Sequence, residues 1–419
     1  MLASNRLEAR GYNPPKQAAN LEKNVQTANI FFPIRKCGIC SKLYLYLPRY
    51  LNRIMPVLEK IVISDFRNIR LQEVEFSPNV NCISGNNGEG KTNLLDAVYY
   101  LSMTKSAFAS SDRFNFRHGT EEFSLLGTYR MENGLTSRFS MKTALKGDKK
   151  MKRDDKAYEK ISGHIGVLPV VMVSPADISL VSESGEERRR FVNSVLSQMD
   201  PGYMASLQQY NRLLLQRNRM LKDMEVDRSL LEVIDMRMSS LAEPVHQARK
   251  RFVEDLLPVV SEYYRLVSGD SEKVCIEYDS ELSKASLDQL LAASFDRDRV
   301  MKYTTSGLQR DDFIFTMNGH PIRRYGSQGQ QKSFLVALKF AQYEIMKKNY
   351  GFAPILLLDD VFDKLDMNRI SNLLQMVASN DFGQIFITDS NKVRMAGIVD
   401  GITRDRAYFD TVDGTFRRI

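Results

Sequence analysis

The octapeptide GNNGEGKT, residues 85–92, sets three glycines ahead of a lysine and a threonine. The pattern G-x-x-x-x-G-K-[ST] is that of a phosphate-binding loop when a strand precedes it and a helix follows. Gly85, Gly88 and Gly90 let the backbone turn its amides inward, where side chains would collide with a phosphate. Lys91 would reach the β- and γ-phosphates of a nucleotide, and the Thr92 hydroxyl would ligate Mg²⁺. The candidate nucleotide contacts are Gly85, Asn86, Asn87, Gly88, Glu89, Gly90, Lys91, Thr92 and Asn93.

Two further stretches could complete such chemistry. ILLLDD, residues 355–360, is an apolar run ending in two carboxylates. A buried strand would deliver Asp359 to the rim of a sheet to hold Mg²⁺, with Asp360 polarising an attacking water. FITDS, residues 386–390, ends another strand and points Thr388 toward the γ-phosphate. A third stretch, RRYGSQGQQKSF at 323–334, raises a separate question. Ser327 and Gln330 fit a capping box at a helix start. That helix tip, with Gly326 and Gly329 beside it, is also an anion site. Since loop 85–92 already wraps its own nucleotide, Ser327, Gly329 and Gln330 suit the γ-phosphate of a nucleotide held by a second copy. The result would be an isologous head-to-tail homodimer.

The elements that must position these residues show in the patterning. Alternation from Leu58 to Phe76 predicts two strands, and NVNCISG at 79–85 a buried one. Asn93 to Met103 reads as a helix. Short strands with turns at Glu132–Asn133–Gly134 and Gly147–Asp148 fill 121–173. The charged run DKKMKRDDK, 148–156, reads as a solvated loop or a phosphate-contacting lobe. Between Gly202 and Gly269 there is no glycine, and apolar residues recur at helical spacing. Pro244 and Pro258 are expected to split that stretch into a few helical segments. A hairpin turning at Asn318–Gly319 follows, then strands alternating with helices, which implies a parallel or mixed sheet covered on both faces.

Composition narrows the function classes. The formal net charge of +8 suggests nucleic acid, but residues 1–54 hold nine basic groups against two acidic ones. The remainder is therefore almost balanced, and any basic surface there must come from local clustering. Four cysteines are too few for a disulfide framework, which points to a reducing, cytoplasmic setting. The pair Cys37–Cys40 lacks the second half of a zinc site. No apolar run approaches the ~20 residues needed to span a bilayer, so a membrane partner is not expected. Residues 1–54 read as an extension outside the folded unit, disordered or the product of an upstream start.

Several of these motifs together resemble the RecF family of bacterial DNA replication and repair proteins, within the ABC-type and SMC-like ATPase heads. SDFRNI, GNNGEGKTNLLDAVYYLSMTKS, ERRRF, GLQRDDF, YGSQGQQ and PILLLDDVFDKLD carry the resemblance, from about Leu58 to the C-terminus. The chain departs from the family pattern at Gln309, Asp363 and Ala176. The resemblance implies an α/β, ABC-type ATPase head: a mixed or parallel sheet with flanking helices, an N-terminal antiparallel lobe and an inserted helical arm. The head would span 55–190 and 296–419 and the arm 191–295. It also implies weak, DNA-stimulated ATP hydrolysis with Mg²⁺, and ATP-driven dimerisation on double-stranded DNA near gaps. RecO and RecR would be partners in loading recombinase. Arg67 would approach the nucleotide phosphates, and the arginines of EERRRF, 186–191, would contact phosphates, transmit nucleotide state or form a solvated face. The alternative is an SMC-type chromosome-structure ATPase, for which the stretch between Gly202 and Gly269 is too short.

Overall fold

The computed structural model describes residues 55–131, 134–223, 227–269, 272–361, 382–391, 397 and 405–419. Residues 1–54 with Cys37 and Cys40, the turn residues Glu132–Asn133, and Asp363 with the segment after the Asp359–Asp360 pair lie outside them.

Strands β1 (Val57–Phe66), β2 (Ile69–Glu75) and β3 (Val80–Ser84) open the fold and lead into α1 (Lys91–Met103). Next come β4 (Glu122–Arg130), β5 (Thr136–Ala144), β6 (Lys150–Arg153), β7 (Lys156–Ala157) and β8 (Val170–Val173). The helical portion runs through α2 (Ser179–Ser182), α3 (Gly185–Met199), α4 (Pro201–Met220) and α5 (Arg228–Ser268), then β9 (Val274–Asp279) and α6 (Leu287–Met301). The chain returns through β10 (Asp312–Met317), β11 (His320–Pro321), α7 (Ile322–Tyr325) and α8 (Gln328–Tyr350). It ends with β12 (Ile355–Asp359), β13 (Ile385–Asp389), β14 (Arg406–Val412) and β15 (Thr415–Arg418).

Among the described residues these strands form three sheets. An antiparallel one is ordered β2-β1-β4-β5-β6-β7, a small one β11-β10-β9, and a mixed one β15-β14-β3-β13-β12-β8. In the mixed sheet β14, β3, β13, β12 and β8 are parallel, and only β15 turns back. Its strands are apolar on both faces because both are covered. Ile355, Leu357 and Phe386 pack with α1 and the antiparallel sheet, while Leu356, Leu358 and Ile387 pack with α8 and α5. Helix α1 is thereby held between two sheets, with Leu94, Leu95, Val98 and Leu101 fully buried. Buried Gln384 stitches the layers together, accepting from the Leu58 amide and donating to the carbonyls of Leu58 and Ser77.

Two expectations fail here for physical reasons. First, 148–156 is largely hairpin and not loop: β6 pairs with β5, and Asp154 and Asp155 make a tight turn at φ 48° and 66°. Met151 points inward between outward lysines, so alternation was present but masked by charge. Second, α5 is one helix of 41 residues that contains both Pro244 and Pro258. Each proline costs roughly 3 kcal/mol in a helix interior. Both sit on the exposed side, as do Ser240 and Glu254 four residues earlier, so the freed carbonyls can be hydrated. The buried stripe through Ile234, Met238, Val245, Phe252, Leu256 and Val260 outweighs the loss, at about 1.5–3 kcal/mol per large side chain.

Buried ion pairs lock the helical portion internally and to the small sheet. Arg217 of α4 is fully buried and binds Asp235 of α5 and Asp298 of α6, each at 2.7 Å. Arg249 of α5 pairs with Asp311, which also accepts from the Tyr278 hydroxyl.

Candidate active site

Loop 85–90 leaves the end of β3 and enters α1 at Lys91. A Cβ on Gly85 would lie 2.6 Å from the Thr411 carbonyl oxygen, so the close approach of β14 demands glycine. Gly90 has φ 110°, and a side chain there would strike Asn68. As the residue before α1, Gly90 offers no capping side chain, which leaves an amide-lined helix start for an anion. The Lys91 ammonium folds back on the loop, donating to the carbonyls of Gly85 (2.8 Å) and Asn86 (3.0 Å). Glu89 fastens the loop to the β14–β15 turn: its carboxylate accepts from the Asp413 amide and its carbonyl from the Gly414 amide. Asn86, Asn87 and Gly88 form the exposed tip.

The carboxylate pair meets this loop at the same edge of the sheet. β3, β13 and β12 are parallel neighbours, with Asp359 in register with Thr388 and Thr388 with Ile83, so their C-terminal ends emerge together. The Thr92 hydroxyl donates to Asp359 at 2.9 Å, and the Thr388 hydroxyl donates to the same carboxylate at 2.8 Å. Burial raises the Asp359 pKa above the ordinary carboxylate value, opposed by those two hydroxyls. Thr388, expected beside a γ-phosphate, also accepts from the Asp360 amide at 3.0 Å. That bond holds Asp360 in a left-handed conformation, φ 44°, which a non-glycine residue rarely adopts. Asp360 lines a cavity of about 420 Å³ with Pro175 and, from the first turns of α8, Gln328, Gln331 and Lys332.

Arg67 is not a solvated turn residue. Its guanidinium forms an ion pair with buried Asp96 at 2.6 Å and bonds Asn93, Ser106 and Asn115. Asn93 in turn donates to Asn68, so the two predicted contacts Arg67 and Asn93 make one rigid cluster at the start of α1. The Asp96 carboxyl is pushed up by burial and pulled back by Arg67. Asp96 and Asn115 carried no recognisable sequence signal; only the fold brings them to the arginine.

The second helix tip differs from the first. Ser327 Oγ accepts from the Gln330 amide (3.2 Å) and the Ser327 amide donates to Gln330 Oε1 (2.7 Å), a closed capping box. Ser327 is exposed, and Gln330 also donates to Glu272. Among the described residues, no hydrogen bond joins Ser327, Gly329 or Gln330 to loop 85–92 of the same chain. The three arginines of EERRRF separate: Arg188 grips Asp312 through two bonds, Arg189 donates to the Asp311 carbonyl, and Arg190 is exposed beside Glu186 and Glu187. Of the positions departing from the family pattern, Gln309 accepts from the Tyr210 hydroxyl, and Ala176 lies in the turn where Asp177 pairs with Lys339 of α8.

A phosphate loop feeding a helix held between two sheets, with a carboxylate-tipped strand two places along, defines an ABC-type ATPase head carrying a helical arm. The family model described as RecF/RecN/SMC N terminal domain matches residues 57–405. The DNA replication and repair protein RecF of Parabacteroides distasonis is 44% identical over 353 residues, covering 84% of this chain and 96% of that one. The chain belongs to the RecF family. A solved structure of the recombination mediator protein RecF with ATP, of the RecFOR pathway, superposes with TM-score 0.80 at 29% identity, over 88% of this chain and all (100%) of that one. An Smc head domain from Pyrococcus furiosus, bound to the C-terminal domain of ScpA, reaches 0.53 at 15% identity over 87% of this chain and 96% of that one, a likeness of fold alone.

Proposed function

We propose that the chain is an ATP-dependent DNA-binding protein of recombinational repair and replication restart. ATP lies with its phosphates in loop 85–92, and Lys91 moves from the loop carbonyls to the β- and γ-phosphates. Arg67 and Asn93 complete the rim. Thr92 and Asp359 would hold Mg²⁺, because a hydroxyl and a buried carboxylate already in contact are the hard oxygen donors that ion takes. When bound, the ion neutralises phosphate charge. Asp360 receives the proton of the attacking water, and Thr388, whose hydroxyl accepts from the Asp360 amide, holds Asp360 in place.

The tip of α8 from a second copy, with Ser327, Gly329 and Gln330, closes the pocket over the γ-phosphate. ATP binding therefore builds an isologous dimer with two buried nucleotides. That dimer grips the backbone of double-stranded DNA near single-strand gaps, and slow, DNA-accelerated hydrolysis releases it. Cooperation with RecO and RecR in loading recombinase is supported by the likeness to a recombination mediator of the RecFOR pathway.

The observation that carries this reading is the convergence of Lys91, Thr92, Asp359 and Thr388 at one sheet edge, with Ser327 exposed and, among the described residues, not hydrogen-bonded to loop 85–92. The test is particle size by light scattering, and duplex binding, with ATP, ADP and no nucleotide. Dimers and DNA complexes are expected with ATP only; a chain that stays monomeric in ATP refutes the mechanism. Ser327→Arg should abolish the dimer and leave ATP binding intact. Loss of both together would make the serine a helix cap and nothing more.

A further inference from the structure

The residues 138–160 hold nine basic side chains against four acidic ones, in a body that is otherwise close to neutral. Their placement is ordered. On the solvent face of the β5–β6 ribbon, Lys142 stands directly opposite Lys150, and Lys152 stands opposite Ser140, with Arg138 one step beyond. Opposed side chains on neighbouring strands lie about 5 Å apart, and alternate residues along a strand about 7 Å. Like charges directly opposite each other destabilise a sheet. Lys142 leans on Glu122 and Arg138 on Asp155, but all four groups are exposed, where such pairs contribute little. Among the described residues, Lys150 and Lys152 have no acidic partner. The ribbon is firmly built: Met151 is buried beneath it, and the Arg138 amide is pinned to the Asp154 carboxylate in the turn. At its root Lys149 pairs with Asp112 and donates to the Thr104 carbonyl at the end of α1.

We propose that this ribbon is a contact surface for the sugar-phosphate backbone of double-stranded DNA, with Arg138, Lys142, Lys150 and Lys152 as the phosphate-contacting groups. The inference rests on the DNA-binding reading above and gives it an address on the fold. The outward strand positions carry no aromatic ring on which an unpaired base could stack, which argues against single strands. They also carry no apolar anchor of the kind that holds a protein partner. What they offer is repeated positive charge, which is how a duplex backbone is held without reading bases.

The experiment measures duplex affinity of the full chain with ATP as a function of salt. The triple variant K142Q/K150Q/K152Q is compared with a control, R212Q/R219Q/K222Q, that removes three exposed cations from the far end of α4 and just beyond. Each phosphate contact contributes about 0.9 to the slope of log K against log salt. The ribbon variant should lose about 2–3 from that slope and bind roughly 10- to 100-fold more weakly near physiological salt. Its ATP-induced dimer and DNA-free hydrolysis should be unchanged, and its melting temperature should rise because the opposed lysines are gone. An unchanged slope, or an equal loss in the control, overturns the inference while the DNA-binding reading stands. Retained duplex binding with lost retention on poly-glutamate would assign the ribbon to an acidic protein and likewise overturn it. If the unmodified chain binds no duplex in ATP, both fall together.

Discussion

Replacing Thr388 with valine removes one oxygen and keeps the shape of the side chain. In the folded chain that oxygen donates to Asp359 at 2.8 Å and accepts from the Asp360 amide at 3.0 Å. Thr388 is fully buried, so neither partner gains water in exchange. An unpaired polar group of this kind costs about 1–3 kcal/mol, and a hydrogen bond to a charged carboxylate contributes about 1.5–3 kcal/mol. The left-handed backbone of Asp360 costs on the order of 1–2 kcal/mol, comparable to the bond that holds it there. Once released, Asp360 relaxes, and its carboxylate would leave the position that its proposed role as base requires. A displacement of about 1 Å is enough for a roughly 100-fold loss of rate. Turnover of the valine variant should therefore fall by about 100-fold, with ATP affinity, set by loop 85–92, within about threefold of the parent. Thr388→Ser restores the hydroxyl and should recover most of the rate. The assay pairs steady-state phosphate release with equilibrium binding of a fluorescent ATP analogue. A valine variant that keeps more than half the turnover, or a serine variant as slow as valine, would refute the positioning role.

Lys91→Ala should weaken ATP binding by about 100-fold or more without unfolding the chain, since the loop is separately fastened through Glu89; calorimetric titration checks it. Buried His164, bonded to the Leu101 carbonyl, has its pKa pulled from 6.5 down to about 4 by burial. The unfolded chain takes up that proton below pH 6.5 while the folded chain refuses it until about 4, so stability falls as pH falls through that window. The loss reaches about 3 kcal/mol, and urea melts from pH 7.5 to 4.5 should show that component disappear in His164→Gln. Arg217→Met strands the fully buried Asp298 carboxylate and should destabilise the chain by about 3–5 kcal/mol. Adding Asp298→Asn should return part of that loss in chemical denaturation, and a double variant no better than the single would show that the pair is not the source.

Much of the head was legible because its signals are local. The phosphate loop sits within eight consecutive residues, and the apolar runs of β12 and β13 announce strands whose last residues must reach a sheet edge. What the letters do not carry is who meets whom. Thr92 and Asp359 are 267 positions apart, and the capture of Asp359 between two threonine hydroxyls follows only from the parallel register of β3, β13 and β12. Arg188, Arg189 and Arg190 are the same residue three times over. Their fates differ because Asp312, 124 positions downstream of Arg188, selects one of them. Prolines 244 and 258 misled the reading of α5, since a proline ends a helix only where the freed carbonyl cannot find water, and that is decided by which face looks out. In 148–156, eight charges concealed a strand whose single inward residue is Met151.

The uninterrupted α5 has a mechanical consequence. At 1.5 Å per residue its 41 residues form a lever about 60 Å long. Near its C-terminal end, Tyr263 and Tyr264 lie against Phe340 and Phe334 of α8, the helix whose tip bears Ser327. A tilt of about 3° displaces the far end of such a rod by about 3 Å, roughly the length of a hydrogen bond. On the function proposed above, a pull on the outer end of the arm would reach the Ser327 tip through these ring contacts, so the closing of the nucleotide pocket would answer to events far outside it.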